Sequence, residues 1–156
     1  MTSERENILV TYDGSEVSKA AFGPAALLAK RLGAGIVLIR VYHAPVEIWS
    51  HPETEHRESE LARLTASWQQ DLEAVGAEFA KNEGVEVESH ARLLGQRWNV
   101  AGEILAAADE FEVLLIVMAT HGESGIRRVF VGSVTQEVIA ESTRPVTLIR
   151  SGKDAG

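Results

Sequence analysis

Residues 113–133, VLLIVMATHGESGIRRVFVGS, decide both the fold class and the place of the functional site. The stretch opens with an apolar run at 113–118, which is too short for a helix of ordinary length and is bounded by small polar residues. Such a run predicts a strand that is buried on both faces, as in parallel sheets. A loop with three glycines follows, at Gly122, Gly125 and Gly132, and leads directly into the next predicted element.

The segment SVTQEVI after this loop predicts a helix that begins at Ser133. Gln136 follows Ser133 at the spacing of a capping box, so Ser133 is predicted to cap the helix. A strand, a glycine loop and a helix start together direct free backbone N–H groups to one point, beside the positive end of the helix dipole. This arrangement predicts a phosphate-binding site.

Outward from this stretch, predicted strands and helices alternate along the chain. Apolar runs predict strands at 7–11, 36–41, 85–94, 113–119 and 146–150. Helical periodicity and end signals predict helices at about 16–32, 58–82, 100–111 and 133–142. Residues 42–57 are expected to form a long irregular loop, with the properties of a lid. Residues 1–150 are expected to form a single domain, and residues 151–156 a disordered tail.

The first predicted helix contains Pro24, which has no backbone N–H to donate. A kink is therefore expected at this position. The apolar side chains expected on the inner face of the helix are Ala20, Ala21, Leu27, Leu28 and Leu32.

The alternation of strands and helices predicts an α/β fold with a five-stranded, mainly parallel sheet and helices on both faces. The expected architecture is Rossmann-like, with strand order 3-2-1-4-5. Ligands of such sheets bind beyond the carboxyl ends of the strands, where the winding reverses. Asp13, Val41, Met118 and Ala119 fall at predicted carboxyl ends, so we expect them at the site.

Composition excludes several classes of function. The chain has 156 residues, with 15 basic against 23 acidic side chains and a net charge of −8. This balance argues against nucleic acid and anionic membranes as partners. The absence of cysteine excludes disulfides, thiolate catalysis and Cys-ligated zinc. The start, MTSERENILV, lacks the shape of a signal peptide, and no apolar run approaches the ~20 residues that span a bilayer. A cytoplasmic protein is expected.

Four segments of the chain resemble the universal stress protein family: VTYDGSE, LIRVYHAP, MATHGESGIRRVFVGSVTQEVI and RPVTLIR. The resemblance extends over about residues 6–150. The ATP-binding branch of that family carries Gly, two residues, Gly, nine residues, then Gly followed by Ser or Thr. This chain has Ala119, two residues, Gly122, nine residues, Gly132 and Ser133. Because alanine is the smallest replacement for glycine, ATP binding is expected to be weakened rather than lost.

The resemblance implies a nucleotide-binding stress-response or regulatory protein, with ATP lying across the switch point of the sheet. It implies that the base and sugar contact Thr11, Tyr12, Asp13, the backbone of Val41, Met118 and Ala119. It implies that the phosphates contact Gly122, Gly132, Ser133, Val134 and Thr135, with Mg²⁺ able to bridge them. The family also implies a homodimer through the last strand, from Val146 to Arg150, because an open strand edge is able to pair.

Two alternative functions stay open at this stage. One is a universal-stress-type dimer that binds no nucleotide and works through protein contacts. The other is a slow ATPase or adenylyl-transferring enzyme, although no candidate general base has a clear geometry. Asp13 itself is open to interpretation as a simple turn residue. His43, His51 and His56 lack the spacing of a metal site, so no metal ligand is predicted. No catalytic residue is predicted either, because no general base has a clear geometry.

Overall fold

The computed structural model describes residues 5–50, 55–94, 99–121 and 131–152, with His121 described by its backbone alone. Five strands form a single parallel sheet in the order β3-β2-β1-β4-β5. The strands are β1 (Asn7–Thr11), β2 (Gly35–Tyr42), β3 (Val87–Leu93), β4 (Leu115–His121) and β5 (Val146–Ser151). The predicted α/β class and the predicted strand order are therefore confirmed.

Helices cover both faces of this sheet. They are α1 (Phe22–Leu32), α2 (Val46–Ser50), α3 (Glu55–Glu83), α4 (Val100–Glu110) and α5 (Ser133–Glu141), with a 3₁₀ turn (Ser18–Ala21) before α1. One hydrophobic cluster joins α1 and α3 to one face of the sheet. A second cluster joins α4 and α5 to the other face. None of the helices in the described ranges is long and apolar enough to cross a membrane.

The central strand β1 explains why the sheet is covered on both sides. Its three middle residues, Ile8, Leu9 and Val10, have no exposed surface. Ile8 and Val10 belong to the cluster under α1 and α3, whereas Leu9 belongs to the cluster under α4 and α5. Because successive side chains of a strand point to opposite faces, an unbroken apolar run requires a helix layer on each.

The first helix differs from its prediction in both start and buried face. A 3₁₀ turn precedes α1, so Pro24 lies in the first turn of α1 rather than inside a longer helix. Amides of a first turn have no helical acceptor, so a proline is tolerated there without a kink. The small residues Ala25, Ala26 and Ala29 face the sheet. The predicted inner residues Leu27 and Leu32 are instead 57% and 49% exposed.

The segment predicted as an irregular loop at 42–57 is partly helical. Residues Val46–Ser50 form α2, and α3 begins at Glu55, before its predicted start. Pro45 lies immediately before α2, where its carbonyl accepts a hydrogen bond from the N–H of Ile48 at 3.0 Å. Residues 51–54 lie outside the described part of the chain.

Strand ends also move by a few residues from their predicted positions. β4 begins at Leu115 rather than at 113 and continues to His121. β5 reaches Ser151, one residue beyond its predicted end, while residues 153–156 lie outside the described ranges. The extension of β4 is relevant to function because it moves Ala119 from the predicted end of the strand to its interior.

Candidate functional site

An open cleft of about 570 Å³ lies at the carboxyl ends of β1, β2 and β4. The strand order reverses at this point, because β2 and β3 lie on one side of β1 whereas β4 and β5 lie on the other. The described residues that line the cleft are Thr11, Tyr12, Asp13, Ser18, Ile39, Arg40, Val41, Tyr42, His43, Val100, Ile104, Met118, Ala119, Val134 and Thr135. The volume is that of a typical small-molecule site.

The turn after β1 is held by a network of short-range hydrogen bonds. Asp13 Oδ1 accepts from the N–H of Ser15 at 2.8 Å, which is the geometry of an Asx turn. Ser15 Oγ in turn accepts from the N–H of Ser18 at 3.1 Å, while Ser18 Oγ donates to the carbonyl of Ser15 at 2.8 Å. The network fixes the backbone of Asp13 at the rim of the cleft. Asp13 therefore acts as a turn residue and also lines the cleft.

The predicted cap of the last helix is wrong by one residue. Gly132 is the N-cap, with φ −62° and ψ 160°, and no side chain caps α5. Ser133 is the first helical residue and is exposed to solvent. The side chain of Gln136 donates to the carbonyl of Val131 at 2.8 Å, instead of reaching back to Ser133. An extended glycine can serve as N-cap because its carbonyl still accepts the first helical hydrogen bond.

The start of α5 nevertheless lies beside the cleft. The first helical hydrogen bond runs from the N–H of Gln136 to the carbonyl of Gly132 at 3.0 Å. The amides of Ser133, Val134 and Thr135 therefore have no acceptor within the helix. Of these residues, Val134 and Thr135 line the cleft, and Thr135 is only 7% exposed. The positive end of the α5 dipole thus lies at one wall of the cleft.

Ala119 occupies an ordinary strand position. It pairs with Ile149 of β5, two residues before the end of β4. Among the described residues other than glycine, only Glu112 has a positive φ. The backbone at 119 consequently does not require glycine, and Ala119 is one of the residues that line the cleft.

The cleft brings together eight of the predicted site residues, namely Thr11, Tyr12, Asp13, Val41, Met118, Ala119, Val134 and Thr135. Gly132 and Ser133 stand at the start of α5 but do not line the cleft. Gly122 lies outside the described residues, so its predicted contact with phosphate stays a prediction.

Sequence reasoning missed the cluster formed by Tyr12, Arg40 and Tyr42. The Cζ atom of Arg40 lies 4.6 Å from the ring centroid of Tyr42 and 5.6 Å from that of Tyr12. Tyr42 also stacks on Trp68 of α3, with centroids 4.8 Å apart and planes 9° apart. A signal was present, since Arg40 is the only charged residue in the run IVLIRV. Residues 40 and 42 also share a face of β2 under the alternation of a strand.

Burial raises the pKa of the Tyr42 phenol above its ordinary value. The carboxylate of Asp71 adds to the rise in pKa, whereas the guanidinium of Arg40 opposes it. The hydroxyl of Tyr42 donates to the carbonyl of Trp68 at 3.4 Å. Tyr42 is therefore neutral at physiological pH. Its phenol does not supply a negative charge to balance the positive charge of Arg40.

Metal ligands are not clustered in the part of the chain that the structure describes. Within those ranges, no group of three or more His, Asp or Glu side chains is arranged to hold an ion.

Comparison with known proteins identifies the family of the chain that forms this cleft. The model of the universal stress protein family matches residues 4–150. The chain belongs to the universal stress protein family. It is 34% identical over 145 residues to a universal stress protein of Thermus aquaticus encoded in the 3′ region of the QAH/OAS sulfhydrylase gene, covering 93% of this chain and 98% of that protein.

Solved structures of universal stress proteins share the same fold. One is the Archaeoglobus fulgidus protein in complex with dAMP, with a TM-score of 0.61, 21% identity, and coverage of 93% of this chain and 97% of the other. Another is a universal stress protein in complex with cAMP, with a TM-score of 0.61, 18% identity, and coverage of 95% and 98%. Some universal stress proteins of this fold therefore bind adenine nucleotides.

Proposed function

We propose that this protein binds an adenine nucleotide, with ATP as the leading candidate, and acts as a homodimeric stress-response or regulatory protein. The observation that supports nucleotide binding is the cleft at the switch point, which has Asp13 at one wall and the amides of α5 at the other. Phosphates suit the α5 end because N–H groups without an acceptor in the helix and the helix dipole both favour negative charge there. The complexes of relatives with dAMP and cAMP support adenine as the base.

The cleft offers distinct environments for the parts of a nucleotide. Ile39, Val41, Val100 and Ile104 supply an apolar wall for a base. Thr11 and Thr135 also line the cleft, and we assign their hydroxyls to the sugar and the phosphates. Since the described residues contain no clustered carboxylates, Mg²⁺ would bind through phosphate oxygens and water rather than through a protein cage.

Binding is tested by isothermal titration of ATP, AMP and cAMP into protein that has been unfolded, freed of small molecules and refolded. We expect heat and a single site for at least one adenine nucleotide. Asp13→Ala is expected to weaken binding about tenfold, whereas Asp13→Asn keeps the acceptor for Ser15 and separates the turn from a charge effect. Absence of binding by the wild-type protein would defeat the proposal and favour a dimer that works through protein contacts alone.

Catalysis is not part of the proposal. The cleft contains His43 and Asp13, and the carboxylate of Asp13 accepts a hydrogen bond from the N–H of Ser15 in the turn after β1. A radiolabelled turnover assay with ATP and Mg²⁺ tests this point. Many turnovers per minute would indicate an enzyme, whereas slow hydrolysis is compatible with a protein that holds ATP as a signal.

Homodimerisation is proposed through the outer edge of β5, and the dimer is proposed to be cytoplasmic. Within the described residues β5 pairs with β4 alone, and all of its residues except the exposed Arg150 are half-buried. An edge strand of this kind has N–H and C=O groups available to a second copy. Sedimentation equilibrium is expected to give twice the monomer mass.

A further inference from the structure

The side chain of Arg40 lies on the face of the sheet that α1 and α3 cover. Its Cζ atom is 5.6 Å from the ring centroid of Tyr12, which belongs to the hydrophobic cluster under those helices. The same atom is 4.6 Å from the ring centroid of Tyr42. The preceding residue, Ile39, is part of the wall assigned to a base and belongs to the cluster on the opposite face. The guanidinium of Arg40 therefore lies away from that wall.

The guanidinium packs against the turn that follows β1. A Cβ built on Gly14 would lie 2.6 Å and 2.9 Å from the two terminal nitrogens of Arg40 and 2.7 Å from Cζ. Because these distances are nearly equal, Gly14 lies over the face of the guanidinium; an approach along the N–H edge would leave Cζ clearly farther away. A side chain at position 14 would thus occupy the space that the planar group fills.

The register of the sheet brings Gly14 and Arg40 together. The N–H of Tyr12 donates to the carbonyl of Ile39 at 2.9 Å, so the pairing of β1 with β2 extends to the residue before Arg40. Beyond this bond the chain turns away from β2 through Gly14, whose φ is +92°. The turn therefore begins beside Arg40 and rests on its side chain.

Asp13 is the residue through which this contact bears on a ligand. It lines the cleft and directly precedes Gly14. Asp13 Oδ1 accepts from the N–H of Ser15, and Ser15 Oγ accepts from the N–H of Ser18. These short-range bonds fix the shape of the turn, but they do not by themselves fix its position relative to β2. The contact of Gly14 with Arg40 supplies such a restraint.

We propose that Arg40 is a positioning residue, whose guanidinium holds the turn of Asp13 and Gly14 in the geometry that binds a nucleotide. This inference rests on the proposed function, because Arg40 acts on the ligand only through Asp13. The packing depends on the planar shape of the guanidinium, which lysine lacks. A turn that is already held in its bound geometry loses less conformational entropy on binding, so removal of the restraint lowers affinity.

The first measurement is amide hydrogen exchange of the ligand-free protein, for wild type, Arg40→Met, Arg40→Lys and a control. The control, Arg31→Met, removes an exposed arginine at the end of α1. We expect the amides of Ser15 and Ser18 to exchange at least about tenfold faster in both Arg40 variants than in wild type. The amide of Gly102, which a side chain caps at the start of α4, is expected to keep its rate. Equal acceleration of all three amides would indicate a general loss of stability and would overturn the inference.

The second measurement is calorimetric titration of whichever of ATP, AMP and cAMP the wild type binds most tightly. Both Arg40 variants are expected to lose about fivefold in affinity, whereas Arg31→Met keeps the wild-type value. Asp13→Ala alone is expected to lose about tenfold, and the double variant with Arg40→Met no more than that, because residues that act through one another are not additive. Independent actions would instead multiply to about fiftyfold.

The outcomes separate this inference from the proposed function. If wild type binds a nucleotide and Arg40→Met binds it equally well, or if the two losses multiply, the role of Arg40 is overturned while nucleotide binding stands. Wild-type affinity in Arg40→Lys would show that charge rather than the planar group matters, and would also overturn it. If wild type binds none of the three nucleotides, both proposals are overturned. An unchanged exchange rate at Gly102 shows that the Arg40 variants are folded.

Discussion

The side-chain amide of Gln69 donates a hydrogen bond from Nε2 to the main-chain carbonyl of Ser89, at 2.7 Å. Its Oε1 accepts from the N–H of Ala91 at 2.8 Å, so a single side chain of α3 satisfies both kinds of backbone group on β3. These are the groups that a further strand would use, because β3 is an edge strand. Gln69 therefore occupies part of one edge of the sheet, whereas β5 forms the opposite edge.

Gln69→Ala is expected to lower the free energy of unfolding by about 1–3 kcal/mol, since it leaves the Ser89 carbonyl and the Ala91 amide without partners. Urea unfolding measures the effect. Gln70→Ala changes the same side chain at the next, exposed position of α3 and is expected to have little effect. Equal stability of the two variants would contradict the role given to Gln69.

The outer edge of β5 can be tested through its backbone donors. Ile116 donates to the carbonyl of Pro145 at 2.9 Å, which in a parallel ladder leaves the N–H groups of Val146, Leu148 and Arg150 on the outer side. Arg150→Pro removes one of these donors where a proline is compatible with the sheet. We expect a shift from dimer towards monomer in sedimentation equilibrium. Arg150→Ala keeps the donor and is expected to remain dimeric; a dimer with both variants would rule out this edge.

Ala119→Gly restores the family motif at a position where the backbone is already that of a strand. Because glycine loses more conformational freedom on folding, we expect a loss of about 0.5–1 kcal/mol in stability. Nucleotide affinity is expected to change by less than about threefold, since no positive φ is relieved. Thermal unfolding and calorimetry measure the two effects. A tenfold gain in affinity would show instead that the methyl group obstructs the ligand.

Gly14→Ala is expected to be more destabilising than Gly33→Ala. Both glycines have a positive φ, +92° and +67°, so each alanine costs about 1–2 kcal/mol in backbone strain. A Cβ at Gly33 meets nothing within 4 Å, whereas at Gly14 it reaches the Arg40 guanidinium. The difference between the free energies of unfolding of the two variants, measured in urea, gives the cost of displacing the Arg40 side chain. Equal losses would mean that the Arg40 side chain moves aside freely.

Tyr42 gives a prediction for alkaline pH. Burial raises the pKa of its phenol, so the folded protein holds the proton more tightly than the unfolded chain. The resulting stability is fully present below the unfolded pKa of about 10 and is lost as the pH rises through the folded pKa. Wild type is therefore expected to lose more stability than Tyr42→Phe above pH ~10. Urea unfolding from pH 8 upwards checks this, and parallel decline of the two proteins would refute it.

Local pattern predicted the sheet well because each strand is an apolar run bounded by turn residues, and β-α alternation leaves few topologies. Asp13, Val41 and Met118 followed from strand ends alone. The N-cap was predicted at Ser133 rather than at Gly132. Both residue types occur at N-caps, and sequence alone does not decide which of two adjacent residues ends up in that position. The exposure of Leu27 has another cause: small alanines permit close approach of α1, and that packing is tertiary.

The contact between Gly14 and Arg40 had no sequence signal at all. The two residues are far apart in the chain and meet because β1 and β2 pair with Thr11 opposite Ile39. Register of this kind depends on the whole sheet, so the environment of Arg40 emerges only when the strands are placed side by side.

The difference between the two sheet edges sets a limit on polymerisation. Strand addition at both edges would let copies join end to end into a growing fibre, whereas β3 has the Gln69 amide in the place of a neighbour. Pairing through β5 about a two-fold axis consumes that edge in both copies. Association by this route therefore terminates at a closed pair and does not propagate.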